Sequence, residues 1–255
     1  NPLIWRKSFN EPYAFLIIFK SAKVMQNAKA TLYCDPLADP VMAQTAIDCI
    51  EDILDRYTEL TGLTNAPREQ IVVSLPIEKN AGAYNDGEKI VLSRFVYDYP
   101  ELAPEYSRFM PAPLISVFGH ELAHFWCTGA DANWEDWLNE CSAEAFNLWY
   151  MRKTGYGDFV ENHLEKMRQI VRVDKTPIRT PDGERPQDCH HKGVILFEEV
   201  RKRCGEAVLM DLLKILVNMP HPATFAWCQL GEAVSKPAVD FIRKEITLPE
   251  FSFPV

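Results

Sequence analysis

The sequence predicts an α+β fold in which a mixed α/β lobe, residues 1–110, precedes a helical lobe, residues 111–255. In the first lobe, short β-branched or aromatic runs alternate with one long amphipathic stretch. From about Pro111 onwards, apolar residues follow helical spacing almost throughout. The chain has 255 residues, of which 47% are hydrophobic and 25% charged, as in ordinary globular proteins. We therefore expect both lobes to form one domain over 1–255.

Four runs in the first lobe are typical of strands, and one helix is expected between the second and third. The strand runs are YAFLIIF at 13–19, ATLYC at 30–34, QIVVSL at 70–75 and KIVLSRF at 89–95. The helix has clear ends, with Asp39 as N-cap, Pro40 in its first turn and Gly62 beyond its end. In the helical lobe we expect breaks at Gly129, Gly155, residues 176–188, Gly205 and residues 220–222.

Composition limits the partners and the compartment. The net charge of −9 comes from dispersed acidic residues, so nucleic acid is not an expected partner. The most apolar early run, residues 15–19, is too short for a membrane span. Seven cysteines without regular spacing favour reduced thiols and a cytoplasmic location. A start on Asn1 rather than Met leaves a trimmed, secreted product open, and the oligomeric state is not indicated.

The strongest motif is HELAH, within the apolar segment APLISVFGHELAHFWCT at 112–128. On the helix expected there, His120 and His124 lie one turn apart on one face, a spacing that suits a single metal ion. Glu121 can then act on a metal-activated water without binding the metal. The alternative is a core helix with two satisfied histidines and a buried ion pair. Zinc would offset the cost of burying these groups.

A catalytic zinc ion usually has three protein ligands and one open position. Glu140 is the expected third ligand. It lies in a second helical pattern, WEDWLNECSAEAFNLWYMRK, and fifteen residues separate it from His124. A reversal at Gly129 and Asn133 would allow the two helices to pack antiparallel, with Glu140 opposite the histidines. We therefore expect one Zn²⁺ per chain.

The segments HELAHFW and WLNECSAEAF resemble the gluzincin peptidases, most closely the aminopeptidase N and leukotriene hydrolase family. The resemblance extends weakly over residues 70–245. It implies a thermolysin-like zincin catalytic domain and a zinc metallopeptidase that acts on a peptide or protein substrate. His120, His124 and Glu140 would be the zinc ligands, and Glu121 the general base. The family normally has a longer connection before the third ligand, so a shortened loop is expected here.

Other site residues follow from the same resemblance. Glu144, one turn after Glu140, suits a carboxylate that accepts the remaining N–H of a zinc-ligating histidine, or else a solvated glutamate. His190 stands where the family has an oxyanion-stabilising tyrosine. The alternatives are His191 in that role, or a helix-entry histidine of no catalytic consequence. His163 has no partner at metal-ligand spacing, so a surface or structural role is expected.

The family's substrate-binding strand has its nearest counterpart in Gly82, Ala83, Tyr84 and Asp86, where Asp86 would hold the substrate amine. A hairpin turn is the favoured alternative, because Asn-Asp-Gly has strong turn chemistry. Exopeptidase and endopeptidase activity therefore both stay open. Two other functions also stay open: hydrolysis of a non-peptide bond such as an ester or epoxide, and a non-catalytic peptide-binding module that keeps zinc for stability.

Overall fold

The computed structural model describes residues 3–7, 14–18, 23–34, 40–65, 70–75, 83–85, 89–93 and 108–255. Strands occupy the first part of the chain and helices the last part, so the predicted α+β class is confirmed. The chain divides into two compact units, one of residues 1–52 and 67–118 and the other of residues 53–66 and 119–255.

The first unit contains two sheets. Strands β1 (Leu3–Lys7) and β2 (Ala14–Ile18) form an antiparallel pair. A five-stranded sheet has the order β3-β4-β5-β7-β6. Its strands are β3 (Lys23–Gln26), β4 (Ala30–Cys34), β5 (Gln70–Leu75), β6 (Ala83–Asn85) and β7 (Lys89–Ser93). The central three strands are parallel, whereas β3 and β6 lie antiparallel at the two edges.

All four predicted strand runs contain observed strands, and two of them, 30–34 and 70–75, match their bounds. Strands β1 and β3 were not predicted, and β6 was anticipated only as the counterpart of the family's substrate-binding strand. Strands β3 and β6 have only four and three residues, too few to show an alternating pattern.

Helix α1 (Pro40–Thr61) connects two parallel strands, β4 and β5, as parallel pairing requires. The apolar residues spaced along one face of this helix are buried at Ala43, Ile47, Ile50, Leu54 and Tyr57, whereas Leu60 is half-buried. The helix ends where expected, at Gly62, whose φ of +72° is unfavourable for residues with a Cβ. The predicted N-cap, Asp39, lies outside the described residues.

In the described part of the chain, six further helices follow: α2 (Ala112–Ala123), α3 (Trp137–Lys153), α4 (Gly157–Val173), α5 (Cys189–Cys204), α6 (Glu206–Val217) and α7 (Thr224–Glu245). The predicted breaks at Gly129, Gly155 and Gly205 coincide with positive φ angles of 91°, 91° and 99°. The helix expected over 112–128 ends earlier, at Ala123. Its last turn tightens, because the N–H groups of Phe125 and Trp126 bond to carbonyls three residues back.

The core of the second unit is built on aromatic residues. The Trp137 ring contacts Phe197 and Trp227, with centroids 5.2 and 6.2 Å away. Both buried indoles are satisfied, Trp137 by the Thr224 hydroxyl at 2.8 Å and Trp227 by a backbone carbonyl at 2.8 Å. Helices α3, α5, α6 and α7 contribute to this core, which holds two helices of the candidate site, α3 and α5, in position.

Among the described residues, no helix is both long and apolar enough to cross a membrane. The six cysteines with described side chains are free thiols, as their irregular spacing led us to expect.

Candidate metal centre

The centre begins at the C-terminal end of α2, which carries His120 and Glu121. Tyr57 anchors this end, because its hydroxyl donates a 2.9 Å hydrogen bond to the carbonyl of Gly119. The Tyr57 ring packs edge-on against Phe146, with the centroids 5.3 Å apart. The position of His120 is therefore fixed by the buried contact between the Tyr57 and Phe146 rings and by the hydrogen bond of the Tyr57 hydroxyl.

The hydrogen bonds of the two motif histidines determine which ring nitrogen is free to bind a metal. His120 Nδ1 lies 2.9 Å from Glu144 Oε2, and His124 Nδ1 lies 3.2 Å from the carbonyl oxygen of Cys127. A carboxylate and a carbonyl can only accept, so both Nδ1 atoms carry the proton. In the neutral rings, each Nε2 is left with a lone pair. His124 lies in the turn after α2, although a helical position was predicted for it.

The two Nε2 atoms face each other at 3.2 Å, and Glu140 Oε2 lies 3.5 Å from His120 Nε2. One ligand atom each from His120, His124 and Glu140 lie within 4.8 Å of one another. Zinc bonds of about 2.0–2.2 Å in tetrahedral geometry place ligand atoms about 3.3–3.6 Å apart. The two resolved separations fit this spacing. Two imidazole lone pairs at this distance repel each other unless a cation lies between them, so the donor chemistry also fits a metal ion.

Glu140 reaches this position through a connection held together by the preceding residue. Helix α3 follows a short 3₁₀ turn at Trp134–Asp136, which Asn133 caps by accepting a 2.8 Å bond from the N–H of Glu135. Asn139 accepts from the N–H of Ala130 at 3.0 Å and donates to its carbonyl at 3.3 Å. These two bonds fix the loop to α3, so the shortened loop is a closed, hydrogen-bonded turn.

Charges at the centre are strongly coupled. Without a metal ion, burial favours neutral His120, but the hydrogen bonds that its ring donates to Glu140 and Glu144 outweigh burial and raise its pKa to about 10. The hydrogen bond to His120 lowers the pKa of Glu140 to about 2. Burial and the charge of His120 lower the pKa of His124. Glu140 is therefore a carboxylate at neutral pH, and a proton and a metal ion compete for the same nitrogen.

Glu121 has the environment of a general base. Its side chain is buried, with 7% of the residue exposed. Burial raises its pKa to about 7, although the charge of His120 acts in the opposite direction. A carboxyl group with a pKa near neutrality can both accept and release a proton at physiological pH.

His190 lies at the second position of α5 and stacks on His120, with ring centroids 5.4 Å apart and an interplanar angle of 8°. Its Nδ1 is 3.6 Å from Glu140 Oε2. Burial, together with the charge of His120, lowers the pKa of His190 to about 4. The ring is therefore neutral at pH 7 and keeps one N–H. His191, the alternative, pairs with Asp188 at 3.6 Å.

A close helix crossing brings His190 to the centre. A Cβ atom on Gly193 would overlap Cys141 Sγ and approach Trp137 Cε3 to 2.8 Å, so α5 can pack this tightly on α3 only with glycine at this position. Cys141 in turn lies 3.3 Å from the carbonyl oxygen of His190.

Glu144 accepts hydrogen bonds from three side chains. Its two oxygens lie 2.9 Å from His120 Nδ1 and His163 Nε2, and Asn147 Nδ2 is 3.2 Å from both oxygens. The hydrogen bond expected between Glu144 and a motif histidine is present, and His163, for which a surface or structural role was expected, contacts the same carboxylate. Asn147 follows Glu144 by three residues on α3, a spacing that places both on one helix face, whereas the His163 contact depends on how α3 and α4 pack.

A second metal-capable group overlaps the first and consists of His120, Glu144 and His190. Its Glu144 carboxylate already accepts from three donors at hydrogen-bond distance. The first group, with His124 and Glu140, is therefore the better candidate.

The predicted substrate strand belongs to the first unit. Ala83 and Tyr84 lie in β6, an edge strand of the described sheet, while Gly82 and Asp86 lie outside the described residues. Asn85 pairs with Ile90 in an antiparallel register, which is consistent with the hairpin alternative.

In comparisons with known proteins, no family model matches the chain and no curated protein is significantly similar to it. The candidate centre is therefore interpreted from its own chemistry.

Proposed function

We propose that the chain is a zinc-dependent hydrolase that cleaves peptide bonds. The observation that carries the proposal is the convergence of His120 Nε2, His124 Nε2 and Glu140 Oε2 at separations that fit one zinc ion. Three protein ligands and a neighbouring buried carboxylic acid are the arrangement of a catalytic zinc site.

The zinc ion would act as a Lewis acid that polarises the scissile carbonyl and lowers the pKa of water to about 7. Glu121 would remove a proton from the attacking water and deliver it to the leaving amine. Its burial and its pKa of about 7 suit both halves of this transfer. Glu144 would keep His120 in the tautomer whose Nε2 binds the metal.

His190 would stabilise the oxyanion that forms as the carbonyl is attacked. The ring is adjacent to His120 and neutral at pH 7, so it retains one N–H donor. The proposed role is the one that a tyrosine has in the gluzincin peptidases that the motifs resemble. Together with this role, we propose that the chain is a gluzincin peptidase and has a thermolysin-like zincin fold.

A non-catalytic zinc module is the second candidate, and the position of His190 supports it. Its Nδ1 lies 3.6 Å from Glu140 Oε2, close to the spacing of two ligands on one zinc ion. With His190 as a fourth ligand, the site would be closed and structural. In that case Glu121 would have no chemical task.

The test compares wild type, Glu121→Gln and Glu140→Ala. Metal content is measured by mass spectrometry, and hydrolysis is measured with a mixture of fluorogenic peptides that contains both free and blocked amino termini. We expect one zinc per wild-type chain, unchanged zinc in Glu121→Gln with at least a hundredfold loss of turnover, and much weaker zinc binding in Glu140→Ala. The blocked peptides separate endopeptidase from exopeptidase activity.

A wild-type chain that cannot be loaded with zinc would overturn the proposal. Full activity in Glu121→Gln would overturn the role of that residue. Stable zinc binding without hydrolysis, together with weaker zinc binding in His190→Phe, would favour the non-catalytic module.

A further inference from the structure

Glu144 is a buried carboxylate, with a side chain 5% exposed, that interacts with two histidines from different helices. His120 is on α2, whereas His163 is on α4. Each of its two oxygens lies 2.9 Å from a histidine ring nitrogen, and a carboxylate can only accept. Both neighbouring ring nitrogens must therefore donate.

His163 is held in place by the stacking of its ring on an aromatic neighbour. Its ring stacks on Phe159, one turn earlier on α4, with centroids 5.8 Å apart and an interplanar angle of 12°. Its side chain is 25% exposed, and Nε2 points to Glu144 Oε1 at 2.9 Å. The stacked ring is a rigid donor, unlike a flexible lysine at the same distance.

We propose that His163 is a positioning residue for the metal centre, acting on the ligand His120 through the shared carboxylate of Glu144. The inference rests on the proposed zinc function and extends it by a residue that never touches the metal. His163 and Asn147 hold the carboxylate from one side, and this orientation directs Oε2 at His120 Nδ1.

The reason is geometric. A carboxylate on a two-carbon side chain can rotate, and it holds an imidazole firmly only when its other lone pairs are also occupied. Without His163, Glu144 Oε1 would lose its shortest hydrogen bond in a buried environment and would turn towards another donor. His120 would then be less firmly oriented and less basic, because a carboxylate bonded to the ring nitrogen that faces away from the metal typically supplies both properties.

The experiment measures zinc dissociation constants by competition with a chromogenic chelator at neutral pH, using the full chain. His163→Phe keeps the ring stack but removes the donor, and His163→Gln keeps an N–H donor. His221→Phe is the matched control, because His221 is an exposed histidine in a loop before α7. The stability of each zinc-free variant is measured by urea unfolding.

We expect the zinc affinity of His163→Phe to fall about 10- to 100-fold. His163→Gln should recover most of that loss, and His221→Phe should match wild type. If His163 served only in the packing of the helices, the Phe and Gln variants would differ from wild type in zinc-free stability, but their zinc affinities would not differ from each other. Equal affinity in His163→Phe and wild type would overturn the positioning role.

If His163→Phe does not fold, His163→Asn replaces it, since its amide is too short to reach Glu144. Equal zinc affinity of the Asn and Gln variants would then overturn the inference. A wild-type chain without zinc affinity would overturn both this inference and the proposed function. A wild-type chain that binds zinc no better than the Phe variant would overturn the positioning role alone.

Discussion

Substituting Gly119 by alanine tests whether the packing beneath the centre controls its ligands. Gly119 is on α2, immediately before His120, and a Cβ there would overlap Asn147 Oδ1 and lie 3.2 Å from Asn147 Cγ. Asn147 is fully buried and donates to both oxygens of Glu144. The added methyl group must therefore displace the amide that orients the Glu144 carboxylate.

The expected cost follows from opposing effects. Alanine stabilises a helix by about 0.8–1.0 kcal/mol relative to glycine. Overpacking costs about 1–3 kcal/mol, and separating the Asn147 amide from its buried carboxylate partner costs about 1–3 kcal/mol more. We expect a net loss of about 1–5 kcal/mol in the free energy of unfolding. The melting temperature should fall by about 2–4 °C for each kcal/mol.

Urea unfolding followed by tryptophan fluorescence is the appropriate assay. Five of the six tryptophans lie between Trp126 and Trp227, so the signal reports mainly the second unit. Gly157→Ala is the matched control, because a Cβ on this helical glycine meets nothing within 4 Å. Zinc affinity is measured on the same samples and should fall in Gly119→Ala alone. A Gly119→Ala variant as stable as Gly157→Ala, with unchanged zinc affinity, would refute this reasoning.

Three further predictions concern charge, the C-terminal segment and the metal. Glu198 accepts from Arg152 at 2.9 Å and Arg201 at 2.6 Å, so Glu198→Gln should reduce the free energy of unfolding by about 1.5–3 kcal/mol at pH 7. Burial opposes ionisation of Glu198, but Arg201 and Arg152 lower its pKa, so this stabilisation is present above the unfolded value of about 4.3 and is lost as pH falls below it. Urea melts between pH 3 and 7 check this, and a constant difference between variant and wild type would contradict it. The buried Lys192 donates to the Pro249 carbonyl at 2.8 Å, so Lys192→Met should release the C-terminal segment and speed its proteolysis. Mass spectrometry follows the cleavage, and a variant cleaved at the wild-type rate would count against this prediction. A chelator should lower the melting temperature of zinc-loaded protein, because free zinc at about 100 times its dissociation constant adds about 2.7 kcal/mol to folded-state stability. Calorimetry with and without chelator should detect the shift. Identical melting curves would argue against a bound metal.

Much of the secondary structure could be predicted because it depends on local pattern. Helix α1 begins at Pro40, because proline is favoured in the first turn of a helix, and it ends before Gly62, because glycine can adopt a positive φ. Strands 30–34 and 70–75 were recognisable as apolar, β-branched runs. The short strands β3 and β6 depend on pairing with neighbouring strands, so their own residues did not identify them.

The sequence by itself determined the candidate ligands, because a four-residue spacing on a helix and a glutamate on the next helix are local properties of HELAH and WLNE. For His120, only the tertiary structure decided which nitrogen can bind a metal, since the acceptor of its other ring nitrogen is Glu144 on a different helix, whereas the acceptor for His124 is a carbonyl three residues later. The structure likewise brought His163 to Glu144 across nineteen residues of chain. No periodicity encodes such a contact, because it arises from the packing of two helices whose angle and separation are set by the whole core.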